Sequence, residues 1–229
     1  KTDKQIWLNK ALSMTLDLPH GTYDMLHFHG AHMRERQLER TRISHLESKV
    51  ASTRGASSHM QNPFVIVCDK NATEEFGSAY GIGLVYSGNF VISAEKDMVE
   101  RTRVVAGINP EGFRYLLNPN DTFEAPEVAL VYSDEGFSKL SNQYHKAVRN
   151  NLCRGKYKNA RRPVLINNWE ATYFDFNADK LVAMAKDAAA LGVELLVMDD
   201  GWFGNRKDDH RSLGDWFVNE EKLQGTLYN

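Results

Sequence analysis

The sequence predicts a multi-domain α and β chain: an antiparallel β-sandwich, then the first βαβ unit of a truncated (β/α)8 TIM barrel. Three observations carry this. Up to about residue 135, short β-rich runs alternate with turn signals, the pattern of an antiparallel sandwich. After Pro163, two apolar runs flank an amphipathic stretch of helical period, which implies a parallel pair with a right-handed crossover. Both runs end in polar-aromatic clusters, as strands do where a barrel builds its functional face.

In chain order, His27-Phe-His29 alternates so that both histidines share one strand face. Pro63-Phe-Val-Ile-Val-Cys68 is a strand buried on both sides. Tyr80–Tyr86 and Phe90–Ser93 are strands, and Ser87-Gly88-Asn89 between them predicts a hairpin. Gly81-Ile-Gly83 lacks the third glycine and following helix of a dinucleotide loop, so it reads as strand in close backbone contact. Arg101–Ala106 and Glu127–Tyr132 are further strands, separated by turns at Asn109-Pro110 and Asn118-Pro119.

Phe137, Leu140, Tyr144 and Val148 recur at helical spacing from Gly136 to about Leu152. Gly155 to Arg162 is polar, basic and exposed. Val164-Leu-Ile166 is the first barrel strand. Asn177 caps the helix that follows, whose Leu181, Val182, Met184, Ala185, Ala188, Ala189 and Leu191 make a broad apolar face. Gly192 ends it in the left-handed conformation, and Val193–Met198 is the second strand. The division is therefore sandwich 1–135, linker helix and loop 136–162, and barrel start 163–229. A whole barrel takes ~250 residues, so roughly a quarter is expected here.

The 229 residues carry 28 Lys and Arg against 30 Asp and Glu, which argues against a nucleic-acid or anionic-membrane partner. The densest basic stretch, Arg34–Arg42, includes Glu35 and Glu39 and reads as ion pairs rather than a phosphate track. Two cysteines, Cys68 and Cys153, make no disulfide framework or metal spacing, consistent with a cytoplasmic setting. No apolar run reaches the ~20 residues of a membrane span. The amino terminus has neither an initiator Met nor a signal-peptide core, so the chain reads as cut from a longer protein. Asn71-Ala-Thr73 is a formal glycosylation sequon without consequence in the cytoplasm.

The sharpest chemistry lies in Val193-Glu-Leu-Leu-Val-Met-Asp-Asp-Gly-Trp202. Two adjacent carboxylates at a strand end are costly unless solvated or bonded. Asp199 and Asp200 can accept hydrogen bonds from vicinal hydroxyls, or simply cap the strand. Trp202 offers an apolar face to a sugar ring. Trp169, beside Glu170 at the neighbouring strand end, suits the same ligand, or packs in a core. Asp215 and Trp216 form a lesser polar-aromatic cluster in a loop. His27, His29 and His32 resemble a metal cluster, but no further ligand spacing supports one, so no metal is expected. Arg54–Phe64, dense in small polar residues, reads as a loop that satisfies its own backbone.

Asn-Asn-Trp-Glu-Ala-Thr-Tyr-Phe-Asp-Phe (167–176), Met-Asp-Asp-Gly-Trp-Phe-Gly (198–204) and Gly-Asp-Trp (214–216) together closely resemble glycoside hydrolase family 36. Arg34-Glu-Arg36, Arg54-Gly-Ala-Ser-Ser-His59, Gln61-Asn-Pro-Phe64 and Phe123–Gly136 resemble that family's N-terminal region, so the likeness covers nearly the whole chain. The resemblance implies a β-supersandwich, a (β/α)8 catalytic barrel and a C-terminal β-domain. It implies retaining hydrolysis of terminal α-galactosides, such as melibiose or raffinose, with no cofactor. Retention takes a nucleophile and an acid/base carboxyl about 5–5.5 Å apart. The family's two lie on later barrel strands, so no catalytic residue is expected in this chain, and the piece alone should hydrolyse nothing. Asp199 and Asp200 match its galactose-binding pair, and Trp169 its sugar-pocket tryptophan. The resemblance also implies a bacterial homo-oligomer, often a tetramer. Two alternatives stand beside it: a relative that acts on α-N-acetylgalactosamine or transfers galactose, and a non-catalytic carbohydrate-binding module.

Overall fold

A computed structural model describes residues 3–225. They fall into two compact units, divided between Cys153 and Arg154.

The first unit contains eleven strands: β1 (Ile6–Leu8), β2 (Leu12–Asp17), β3 (Tyr23–Ala31), β4 (Arg34–Arg42), β5 (Ser48–Ala51), β6 (Phe64–Asp69), β7 (Ala79–Val85), β8 (Phe90–Lys96), β9 (Thr102–Ile108), β10 (Tyr115–Leu117) and β11 (Glu127–Ser133). A five-stranded sheet runs β11-β7-β6-β3-β4, and a four-stranded sheet runs β2-β9-β8-β5. Every pairing in both is antiparallel, as is the separate β1–β10 pair.

Side chains on a strand alternate between faces, and the burial follows that alternation. Met25, Val65, Val67 and Ile82 join Val50, Phe90, Ile92, Val104 and Ala106 in one core supplied by both sheets. Their neighbours Leu26, Ile66 and Cys68 turn the other way, onto Leu140, Phe137 and Tyr144 of helix α1 (Gly136–Ala147). The apolar run at 64–68 is unbroken because both of its faces are covered. The helix assigned to a linker thus packs on the back of the five-stranded sheet. Its last apolar position, Val148, is exposed, where the chain passes into a π-turn over Val148–Leu152.

Gly81 is a point of close approach: a Cβ there would lie 2.5 Å from the Tyr144 ring, whose hydroxyl donates to the Ala129 carbonyl at 2.8 Å. The expected hairpin at Ser87–Asn89 does not form. β7 pairs with β6 and β11, whereas β8 pairs with β9 and β5, so this turn carries the chain from one sheet to the other. None of its three residues takes the positive φ that tight hairpin turns need.

β4 is an edge strand with every residue exposed, protected by charge. Its ion pairs reach across to β3, where Arg40 and Arg42 grip the buried Asp24. His27 and His29 point together at Glu39, their Nε2 atoms 3.5 and 3.8 Å from its carboxylate. Among the described residues, no group of three or more His, Cys, Asp or Glu could hold a metal ion. No described helix is long and apolar enough to cross a membrane.

The second unit is a βαβ unit with its loops. β12 (Leu165–Asn167) and β13 (Leu195–Val197) pair in parallel, with Asn167 opposite Val197. Helix α3 (Ala178–Ala190) is the crossover. Asn177 caps it by accepting the Lys180 N–H at 2.9 Å. At the other end Gly192 has φ 88°, and the N–H groups of Gly192 and Val193 close on the carbonyls of Ala189 and Ala188. That is the double bond of a Schellman stop, which needs a left-handed residue at the glycine. Only Ala188 of α3 is buried, and Leu165 and Leu195 on the strands are exposed, as is Val164 just before β12. Two short helices complete the unit: α2 (Trp169–Thr172) after β12, and α4 (Glu220–Leu223).

Candidate functional site: two strand ends joined by asparagines

In a parallel pair both carboxyl ends point the same way, so residues following β12 and β13 meet. Asn168 joins them. It is fully buried, and its backbone N–H donates to the Val197 carbonyl at 3.3 Å. Its side-chain oxygen accepts the Asp199 N–H at 2.8 Å, while its amide donates to Thr172 Oγ1 at 2.9 Å. A buried amide survives only when its donors and acceptors are partnered, and here the partners are the two loops.

The adjacent Asn167 sets the exposed side of the junction. Its oxygen accepts the Trp169 N–H at 2.7 Å, and its amide donates to Asp199 Oδ2 at 2.6 Å. One side chain thereby ties the Trp169 backbone to the Asp199 carboxylate. The other Asp199 oxygen accepts the Asp200 N–H at 2.7 Å. The Trp169 ring is half-buried and stands edge-on to Tyr173 and Phe174, at 5.3 and 4.9 Å between centroids.

Asp200 faces a different partner. Arg206 grips it with two parallel bonds, Nε to Oδ1 at 2.6 Å and Nη2 to Oδ2 at 2.8 Å. The guanidinium side chain is only 6% exposed. It also donates to the carbonyls of Asp208 and Arg211, and it lies near the rings of Phe174 and Phe203. The Arg206 hydrogen bond, stronger in effect than the opposing burial, holds the Asp200 carboxyl below the usual carboxylate range. Lys222 pins the same loop from below its chain turn, donating to the carbonyls of Phe174 and Gly201. Burial lowers its ammonium from the ordinary lysine value.

Trp202 and Trp216 form a second aromatic group. The stretches around Phe203 and Val218 pair as an isolated antiparallel bridge, which folds the 214–216 loop back. The two indoles are 6.5 Å apart, with Phe203 4.5 Å from Trp216. Trp202 is half-buried, whereas Asp215 and Trp216 are exposed. Of the residues singled out in the sequence, Asp199 and Trp169 are therefore linked through Asn167, and Trp202 sits with Trp216. Asp200 is engaged by an arginine, and among the described residues Asp215 bonds through its backbone, to Ser212 and Phe217. Reading the sequence missed Asn167, Asn168 and Arg206 as site residues. Asn167 and Asn168 open the first motif and Arg206 lies two residues past the second, but a polar type at those places is their only signal. A cavity of about 370 Å³ in this unit shares Phe174 and Lys222 with the loop anchors, but none of the six candidates lines it.

Comparison with known proteins bears directly on this arrangement. The profile described as the glycosyl hydrolase family 36 N-terminal domain matches residues 1–118, and the Melibiase profile matches residues 122–229.

The chain belongs to glycosyl hydrolase family 36.

Family 36 relatives are similar along almost its whole length. The bifunctional alpha-galactosidase/sucrose kinase AgaSK of Mediterraneibacter gnavus is 54% identical over 97% of this chain and 24% of its own. Alpha-galactosidase AgaA of Geobacillus stearothermophilus is 51% identical over 99% of this chain and 31% of its own. The crystal structure of AgaA superposes with a TM-score of 0.92 at 51% identity, covering 98% of this chain and 31% of that one. Variants of AgaA have been solved in complex with raffinose and with stachyose. The chain thus spans 24 to 31% of the length of these family 36 relatives. The sandwich and the βαβ unit match the corresponding part of these family 36 structures.

Proposed function

We propose that this chain is part of a longer α-galactosidase, which hydrolyses terminal α-D-galactosyl residues of oligosaccharides such as melibiose and raffinose with retention. The observation that carries the reading is the junction at the strand ends. Asn167 fixes the Asp199 carboxylate beside the Trp169 backbone, and Trp202 is half-buried in the loop that follows. A carboxylate fixed near aromatic faces suits a sugar, which has hydroxyl edges and apolar faces. Relatives named α-galactosidases, and a relative solved with raffinose and stachyose, support the same substrate class.

In this reading Asp199, Asp200, Trp169 and Trp202 belong to the galactose subsite, with Asp215 and Trp216 at its margin. The nucleophile and the acid/base lie on later strands of the full barrel, and the 229 residues alone are inactive. The exposed apolar side chains of β12, β13 and α3 support a larger barrel, because parallel strands are stable only when covered on both faces. The same reading carries a homo-tetramer and a bacterial cytoplasmic location.

The test is hydrolysis of nitrophenyl α-galactoside by the full-length protein, set against nitrophenyl α-N-acetylgalactosaminide. Preference for the galactoside supports the reading. Preference for the acetamido sugar, or transfer to sucrose in place of release, replaces it with the alternative specificity. Size-exclusion chromatography checks the tetramer.

A further inference from the structure

The two neighbouring aspartates are not equivalent. A carboxylate offers about four acceptor positions. Asp199 uses two, for the Asp200 N–H and the Asn167 amide. Asp200 also uses two, but gives both to the fork of one buried guanidinium, that of Arg206. Each keeps acceptor positions for hydroxyls, but Asp199 is held by an amide and a backbone N–H, whereas Asp200 is held by a charged planar fork.

We propose that Arg206 is a positioning residue that sets the pair apart: its fork locks Asp200 in plane as a fixed acceptor of galactose hydroxyls, whereas Asp199 is held only by the Asn167 amide and the Asp200 N–H. This rests on the reading that the pair meets galactose. Three features support it. The guanidinium is buried yet well bonded, with donors on Asp200 and on the carbonyls of Asp208 and Arg211, and with the Asp209 carboxylate 3.6 Å from Nη2. Its two bonds to the carboxylate are parallel, the geometry that fixes a carboxylate in plane as well as in place. The loop that carries it begins at the strand end itself, so rotation of Asp200 toward the ligand would break the fork. A lysine could supply the charge but not the planar fork.

The experiment is a double-mutant cycle in the full-length protein, with kcat/KM toward nitrophenyl α-galactoside measured for wild type, Arg206→Met, Asp200→Asn and the double variant. Each single change is expected to cost on the order of 100-fold, the scale of a charge-assisted hydrogen bond. If Arg206 acts through Asp200, the double variant is no worse than the worse single one. The acid limb of kcat/KM moves to higher pH in Arg206→Met, because the carboxyl loses its hydrogen-bonded cation and keeps only the charge of Lys222, and Arg206→Lys restores the limb while recovering only part of the rate. Losses that multiply to roughly 10,000-fold, or an unmoved acid limb, overturn the proposal and leave a loop-holding arginine. Thermal melts of each variant separate unfolding from these effects, since loss of folded protein alone shifts neither the limb nor the coupling. A folded wild type that neither hydrolyses nor binds galactosides overturns the proposed function and this proposal with it. An active wild type with multiplicative losses overturns this proposal alone.

Discussion

Asn168 accepts the backbone N–H of Asp199 at 2.8 Å from a position with no solvent exposure, so a buried amide on one strand end sets where the next strand presents its carboxylates. Removing that amide leaves the Asp199 N–H without its partner inside the junction. Asn168→Ala is expected to lower stability by about 1–3 kcal/mol, the cost of an unsatisfied buried polar group. Urea unfolding of the full-length protein measures it, and an unchanged midpoint would mean that the strand ends hold themselves.

Asp199→Asn and Asp200→Asn should separate recognition from architecture. Both are expected to lower kcat/KM by ~10- to 1,000-fold, because each weakens a charge-assisted bond to a hydroxyl. Only Asp200→Asn also removes the counter-charge of a buried guanidinium, so only it should lower the melting temperature appreciably. Equal melting temperatures for the two variants would contradict the arginine's hold on Asp200.

Acid should loosen this unit through Asp200. Its carboxyl is held below the ordinary value, so its contribution to stability is complete above the unfolded value of ~3.9 and is lost as pH falls through the folded one. The urea midpoint followed from pH 7 to pH 3 should fall at the acid end, and Arg206→Met should flatten that fall. A slope identical in the two proteins would locate the acid sensitivity elsewhere.

Gly81→Val tests the back of the five-stranded sheet. A Cβ at this position meets the Tyr144 ring at 2.5 Å, so the helix or the strand must shift, at a cost of about 1–3 kcal/mol. Tyr144→Phe removes only the bond to the Ala129 carbonyl and should cost about 1 kcal/mol. Denaturant unfolding of both variants gives the comparison, and a Gly81→Val protein as stable as wild type would refute the close approach.

Much of the fold was legible because it is written in local periods and caps. The 3.6-residue spacing and Asn177 marked α3, Gly192 marked its stop, and the apolar run to Met198 marked the second parallel strand. The unbroken apolar run at Phe64–Cys68 announced a strand covered on both faces. The position of Asp199 and Asp200 at a strand end followed from the same pattern.

What the sequence by itself determined, then, was everything carried by residues close together in the chain: element types, the βαβ unit, the strand-end aspartates and the motifs of the family. Tertiary structure alone decided the partners. Whether the turn at Ser87–Asn89 closes a hairpin or crosses between sheets depends on which distant strands claim β7 and β8, and a turn sequence does not encode that. That Asp200 belongs to Arg206, and Asp199 to Asn167, depends on irregular loops meeting in space. A hydrogen bond between side chains has no period along the chain, so folding alone brings its two ends together.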